Sequence, residues 1–143
     1  MYDDILVPTD GSDCSQRAVE EAVRLATAFD AALHTLYVVD SELTGSEGGG
    51  AVVFDELEAE GRRILDDVVD RAEDAGVDTV EASVATGVPH RSILDYCEAH
   101  DVDLLVMGTH GRTGLERTLI GSVTEKVVRT TDVPVLTVSL PSE

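Results

Sequence analysis

Five short apolar runs, each separated from the next by enough chain for a helix, limit what this sequence can fold into more than any other feature. They are Asp3 to Thr9, Ala32 to Val39, Thr79 to Ala85, Asp103 to Met107 and Pro134 to Val138. The spans between them read as helices. From Ser15 to Phe29 the apolar residues Ala18, Val19, Ala22, Val23, Ala26 and Phe29 recur at three and four. A longer amphipathic helix runs from Phe54 to Ala75, with Leu57, Ile64, Leu65, Val68, Val69 and Ala72 on one face. Shorter ones follow from Pro89 to His100 and from Val123 to Thr131. Adjacent parallel strands need a crossover of a dozen or more residues, and each span supplies one. The alternation therefore predicts an α/β fold, a single-domain open sheet of five parallel strands with helices on both faces.

Local signals place the boundaries. Gly76 suits the position just past a helix end, and Pro89 suits the first helical position. Asp40 to Ala51 lacks periodicity and contains Gly45 and Gly48-Gly49-Gly50, which reads as a mobile loop within one domain spanning 1–143. That length buries a core without staples. No run approaches the roughly 18 apolar residues of a membrane helix. Met-Tyr-Asp-Asp leads directly into a strand with no positive n-region, so the expected location is cytoplasmic. Cys14 and Cys97 form no C-x-x-C or Cys/His cluster, and are expected to be free thiols.

The 29 acidic residues face only 10 basic ones, for a net charge of −19, with Lys126 the single lysine. Such a surface excludes nucleic acid and anionic membranes as natural partners. The even spread of carboxylates resembles proteins of salt-accumulating halophiles, whose self-repulsion is screened by salt.

Chemistry concentrates in Leu104 to Glu125. The strand ends at Gly108, and Gly108 with Gly111 frees the backbone beyond it. A loop carrying Arg112 and Arg117 leads to Gly121-Ser122, where a new helix begins. Ser122 and Glu125 fit an S-x-x-E capping box with Ser122 as N-cap. Gly121 lets a ligand approach the backbone, and the unpaired first-turn N–H groups favour an anion, best a phosphate.

The spacing Gly108-x2-Gly111-x9-Gly121-Ser122, joined to Ile5-Leu-Val-Pro-Thr-Asp-Gly-Ser12 near the start, resembles the universal stress protein family in its ATP-binding branch. The resemblance runs on to Val133-Pro-Val-Leu-Thr-Val138. It implies a Rossmann-like fold with strand order 3-2-1-4-5, so that strands one and four meet where the order reverses and ligands of such sheets bind. It further implies that Pro8, Thr9 and Asp10 line the adenosine side, that Val38 touches the base, and that Met107 and Gly108 lie against ribose and phosphates. Gly111, Gly121, Ser122, Val123 and Thr124 would hold the phosphates. The family also implies a homodimer joined through the last strand, 134–138.

Asp10 has three readings: acceptor for ribose or adenine, ligand to a Mg²⁺ shared with phosphates, or Asx-type cap of the following helix. Arg112 and Arg117 suit phosphate contacts and equally suit solvated charges near Glu116. His110 adjoins the phosphate loop, but no carboxylate beside it in sequence suggests a catalytic pair. His34, His90 and His100 stand isolated. There is no P-loop G-x-x-x-x-G-K-[ST] and no G-x-S-x-G elbow. The expected function is an ATP-binding regulatory module with slow hydrolysis at most. The rivals are a slow ATPase on the same fold and a dimeric scaffold that binds no nucleotide.

Overall fold

The computed structural model describes residues 2–41, 50–110 and 121–140, with side chains left aside at 50–52. The elements are β1 (Asp4–Pro8), α1 (Asp13–Phe29), β2 (Ala32–Asp40), α2 (Gly50–Asp74), β3 (Val80–Gly87), α3 (Pro89–Ala99), β4 (Leu104–Gly108), α4 (Ser122–Thr130) and β5 (Val135–Val138). The strands form one parallel sheet in the order β3-β2-β1-β4-β5. This is the α/β fold and the strand order expected above.

Alternate residues of the central strand β1 feed two cores. Ile5 and Val7 join Ala18, Val19, Ala22, Val68 and Ala72 on the face covered by α1 and α2. Leu6 joins Leu36, Leu105, Ile93, Tyr96 and Val127 on the face covered by α3 and α4. Burial on both faces explains why the strands read as unbroken apolar runs. No described Asp, Glu, Lys or Arg is among the buried residues. Among the described residues, no helix is long and apolar enough to cross a membrane.

Element ends differ from the sequence reading in specific places. Helix α1 starts at Asp13 because Ser12 caps it, its hydroxyl accepting from the Ser15 amide at 3.2 Å. It stops where Asp30 turns left-handed, φ 54°, and the Ala31 amide reaches back to the Ala26 carbonyl at 2.9 Å. Helix α2 begins at Gly50 rather than Phe54, and β2 extends to Asp40. Glycine is costly inside a helix but tolerated at its start, where Gly50 stands. Of the expected loop, Asp40 belongs to β2 and Gly50 and Ala51 to α2, Ser41 is a turn residue, and 42–49 lie outside the described residues. Helix α3 starts with Pro89 in its first turn, as expected.

His34 and His100 are not isolated. His34 is 3% exposed, with Nδ1 2.7 Å from the Tyr96 hydroxyl and Nε2 3.0 Å from Asp4 Oδ1. The His100 ring stacks on Tyr96 at 3.8 Å. This cluster ties β1, β2 and α3 together at the amino ends of the strands. Burial pushes the Tyr96 phenol above its ordinary value, and pushes the Cys97 thiol up to about 11. Cys97 is therefore a packing residue rather than a nucleophile.

Candidate nucleotide site

The crevice follows from strand pairing. β1 and β2 register over five residue pairs, but β1 and β4 only at Ile5↔Leu104 and Leu6↔Leu105. Beyond Leu6 and Leu105 this pairing ends, and the carboxyl ends of the two strands stand at the reversal of strand order, where ligands of such sheets bind. Pro8 ends one side and Gly108 the other.

On the β1 side, the turn into α1 is held by its own hydroxyls. The Ser15 hydroxyl donates to the Ser12 carbonyl at 2.9 Å, so the Thr9 hydroxyl, 3.0 Å away, donates to Ser15 Oγ. The Gly11 amide in turn donates to Thr9 Oγ1 at 3.2 Å. Thr9 is buried and has no hydroxyl proton left for a ligand. Asp10 Oδ1 accepts from the Ser12 amide at 2.9 Å, an Asx-turn that leads into the helix, while the cap expected of Asp10 is supplied by Ser12. Asp10 is half-buried and has a further interaction besides this one.

On the β4 side, Gly108 and Thr109 join three elements. A Cβ on Gly108 would lie 3.0 Å from both the carbonyl carbon and oxygen of Cys14. Glycine is needed there because the first turn of α1 packs against the strand end. The Gly108 carbonyl accepts from the Thr124 hydroxyl at 2.8 Å, and the Thr109 carbonyl accepts from the Gly121 amide. These two bonds fix the start of α4 beside the crevice. Thr109 also donates its amide to the Val138 carbonyl at 2.9 Å, which the Cys14 thiol reaches at 3.2 Å. His110 Nδ1 lies 3.2 Å from Thr109 Oγ1.

The N-cap of α4 is Gly121, not Ser122, and the expected capping box is not formed. With one residue of shift, Ser122 becomes the first helical residue and Glu125 pairs with Arg129 one turn on. The Glu125 amide closes the first helical bond, to Gly121, at 2.9 Å. Among the described residues, the amides of Ser122, Val123 and Thr124 then have no acceptor. Ser122 is exposed, while Thr124 is buried with its hydroxyl proton directed at Gly108. The donor that Thr124 offers outward is its amide.

Val38, Met107 and Val123 come together, all packed in or against the apolar cluster of Leu6 and Leu36. That cluster lies on the α3/α4 face of the sheet. Gly111, Arg112 and Arg117 lie outside the described residues. Among the described residues no group of three His, Cys, Asp or Glu side chains could hold a metal. A Mg²⁺ near Asp10 would thus need water and phosphate oxygens for its remaining ligands, which is how Mg²⁺ binds beside nucleotides. The sequence reading did not single out Thr109 or Cys14 for the site. Neither carries a spacing signal, since each acts through a contact far away in the chain.

The family model of the universal stress protein family matches residues 1–139. Universal stress protein MJ0531 of Methanocaldococcus jannaschii is 41% identical over 146 residues, covering 100% of this chain and 85% of its own. YxiE of Bacillus subtilis is 32% identical over 148 residues, covering 96% and 99%. The solved structure of MJ0577 superposes with a TM-score of 0.91 at 31% identity, covering 100% of this chain and 99% of that one. A universal stress protein crystallised in complex with cAMP superposes at 0.75 with 30% identity, covering 98% of each chain.

Proposed function

The chain belongs to the universal stress protein family, and on that premise we propose that it is an ATP-binding, homodimeric regulatory module of the cytoplasm. The observation that carries the nucleotide reading is the start of α4. Three consecutive amides without acceptors among the described residues are fixed beside the crevice by the Thr124–Gly108 and Gly121–Thr109 bonds. Such a helix start attracts phosphate through its N–H groups and its dipole. A relative solved with cAMP supports an adenine nucleotide as the ligand class.

In this reading Ser122, Val123 and Thr124 hold phosphate oxygens, and Gly111 and Arg112 complete the phosphate loop. Val38 and Met107 give the base an apolar wall. Pro8 and Thr9 shape the adenosine side, with Asp10 accepting from the ribose or sharing Mg²⁺ with the phosphates. Mg²⁺ would neutralise phosphate charge there. The sequence offers no P-loop lysine, so hydrolysis is slow, below about one turnover per minute against the 1–10³ per second of ordinary enzymes.

Mass spectrometry of the denatured purified protein tests the reading. Co-purified adenine nucleotide, or submicromolar to micromolar ATP binding by calorimetry, is the expected result. Neither, in folded protein, would leave the scaffold rival standing. The dimer rests on β5, which is an edge strand with Leu136 39% exposed. Light scattering should give twice the chain mass, and a monomer at working concentration would remove this part of the proposal.

A further inference from the structure

A cleft of about 360 Å³ lies between α1 and α2, on the sheet face opposite α3 and α4. Its size falls within the range of small-molecule sites, roughly 300–1,000 Å³. Val19, Ile64 and Val68 supply apolar lining, with Val19 and Val68 nearly fully buried. Gln16, Arg63 and Arg71 also line it. It touches the nucleotide assignment only at Thr9, which it meets from the α1/α2 side.

The charges around this cleft are unequal in kind. Arg71 is fixed from two directions, its Nε 3.2 Å from Asp67 Oδ2 and an N–H donated to Gln16 Oε1 at 3.4 Å. Asp67 is thereby neutralised where it stands. Glu60, which also lines the cleft, has an interaction of its own. Arg63 has no carboxylate partner among the described residues, although the chain carries 29 acidic residues for 10 basic ones. Arg62, Arg91 and Lys126 likewise have none among the described residues, but of these four only Arg63 lines the cleft, above its apolar floor.

We propose that this cleft is a second binding site, taking a small organic anion whose apolar body rests on Val19, Ile64 and Val68 and whose carboxylate or phosphate meets Arg63 and Arg71. Arg71 arrives already oriented, which lowers the ordering cost of binding. Arg63 supplies the charge that selects an anion over an alcohol of the same shape. The site is independent of ATP, whose assigned seat is the crevice between β1 and β4.

Amide NMR with phenyl phosphate, phenylacetate and benzyl alcohol as probes tests this. Both anions at millimolar concentration should shift the amides of Val19, Ile64 and Val68, and the tighter of the two names the head group. Benzyl alcohol should bind about tenfold more weakly, and Arg63→Gln should weaken the anions about tenfold. ATP affinity should be unchanged in Arg63→Gln, because Arg63 lines the α1/α2 cleft and not the crevice between β1 and β4. The proposal is overturned if neither anion moves these amides, if alcohol and anion bind alike, or if Arg63→Gln binds the anions like the parent. It is also overturned if ATP itself shifts the cleft amides, since the cleft would then be the nucleotide's seat.

Discussion

The two ends of the sheet both gather polar residues, and they differ in whether those residues are satisfied. At the amino end, the Asp103 carboxylate accepts from the amides of Asp3 at 2.9 Å and Asp4 at 3.1 Å. His34 is engaged there on both ring nitrogens, by Tyr96 and Glu81 on one and Asp4 on the other. At the carboxyl end, the first amides of α4 are held in place by neighbours yet left without acceptors among the described residues. A cluster whose groups are mutually satisfied stabilises the fold, because every buried partner has replaced its water. A cluster that presents oriented donors with nothing to receive them is suited to a ligand. Richness in His, Asp and Glu marks the amino end, where those groups already satisfy one another.

Substitutions at the two ends should therefore separate affinity from stability. The largest effect belongs to Gly121→Val. Gly121 has φ −72° and ψ 163°, a conformation valine adopts readily, so the backbone is not strained by the change. The branched side chain would stand where phosphate approaches, and ATP affinity should fall by more than about 100-fold, or 2.7 kcal/mol. Calorimetry reads the affinity, and thermal melting should show only the smaller loss, about 1 kcal/mol, that valine brings at an N-cap. A comparable loss of stability would erase the contrast.

Next comes the opposite end. His34→Ala removes the partner of the Tyr96 hydroxyl and leaves a cavity in a buried cluster, costing about 2–3 kcal/mol. The melting midpoint should fall by roughly 5–10 °C. ATP affinity should stay within about twofold of the parent, since additivity holds for distant sites. Tight coupling between the two ends would contradict the division drawn here.

Ser122→Ala is smaller. The hydroxyl is exposed and caps nothing, so its loss removes one contact to phosphate and lowers ATP affinity about tenfold. Adenosine, lacking phosphates, should bind both proteins alike. Equal losses for adenosine and ATP would move the phosphates elsewhere.

The smallest effect is alkaline and belongs to the fold alone. Burial raises the Cys97 thiol from 9.0 to about 11. A raised value in the folded state means the fold favours the protonated thiol. Its contribution is complete below about 9 and is lost as pH climbs from there through about 11. Cys97→Ala should flatten that part of the melting profile at high pH. A variant whose alkaline decline matches the parent's would remove Cys97 as its source.

Much of the fold was legible because parallel strands buried on both faces leave unbroken apolar runs, as in Ile5-Leu-Val and Leu104-Leu-Val-Met. Strand order was not in the periodicity and came from family resemblance. The start of α4 was read one residue late, because an S-x-x-E pattern cannot say whether serine precedes the helix or begins it. Gly108 was legible as a strand breaker, but not its reason, which is the Cys14 backbone pressed against it. Gly61 was likewise opaque: a side chain there would overlap the Tyr37 ring, where α2 crosses β2 closely. Contacts between residues distant in the chain leave no local mark. The same holds for Thr109, whose bonds to the start of α4, to β5 and to Cys14 of α1 join three elements.

The account turns on where the phosphates bind, and amide NMR during titration with ATP and then adenosine reads that directly. ATP should shift the amides of Ser122, Val123 and Thr124 most strongly, with Gly108 and Thr109 next and Asp4, His34 and Glu81 unmoved. Adenosine should shift those around Val38 and Met107 and leave the start of α4 nearly still. If ATP binds with the amides of Ser122 to Thr124 unshifted, the helix start does not receive the phosphates and the central claim is wrong.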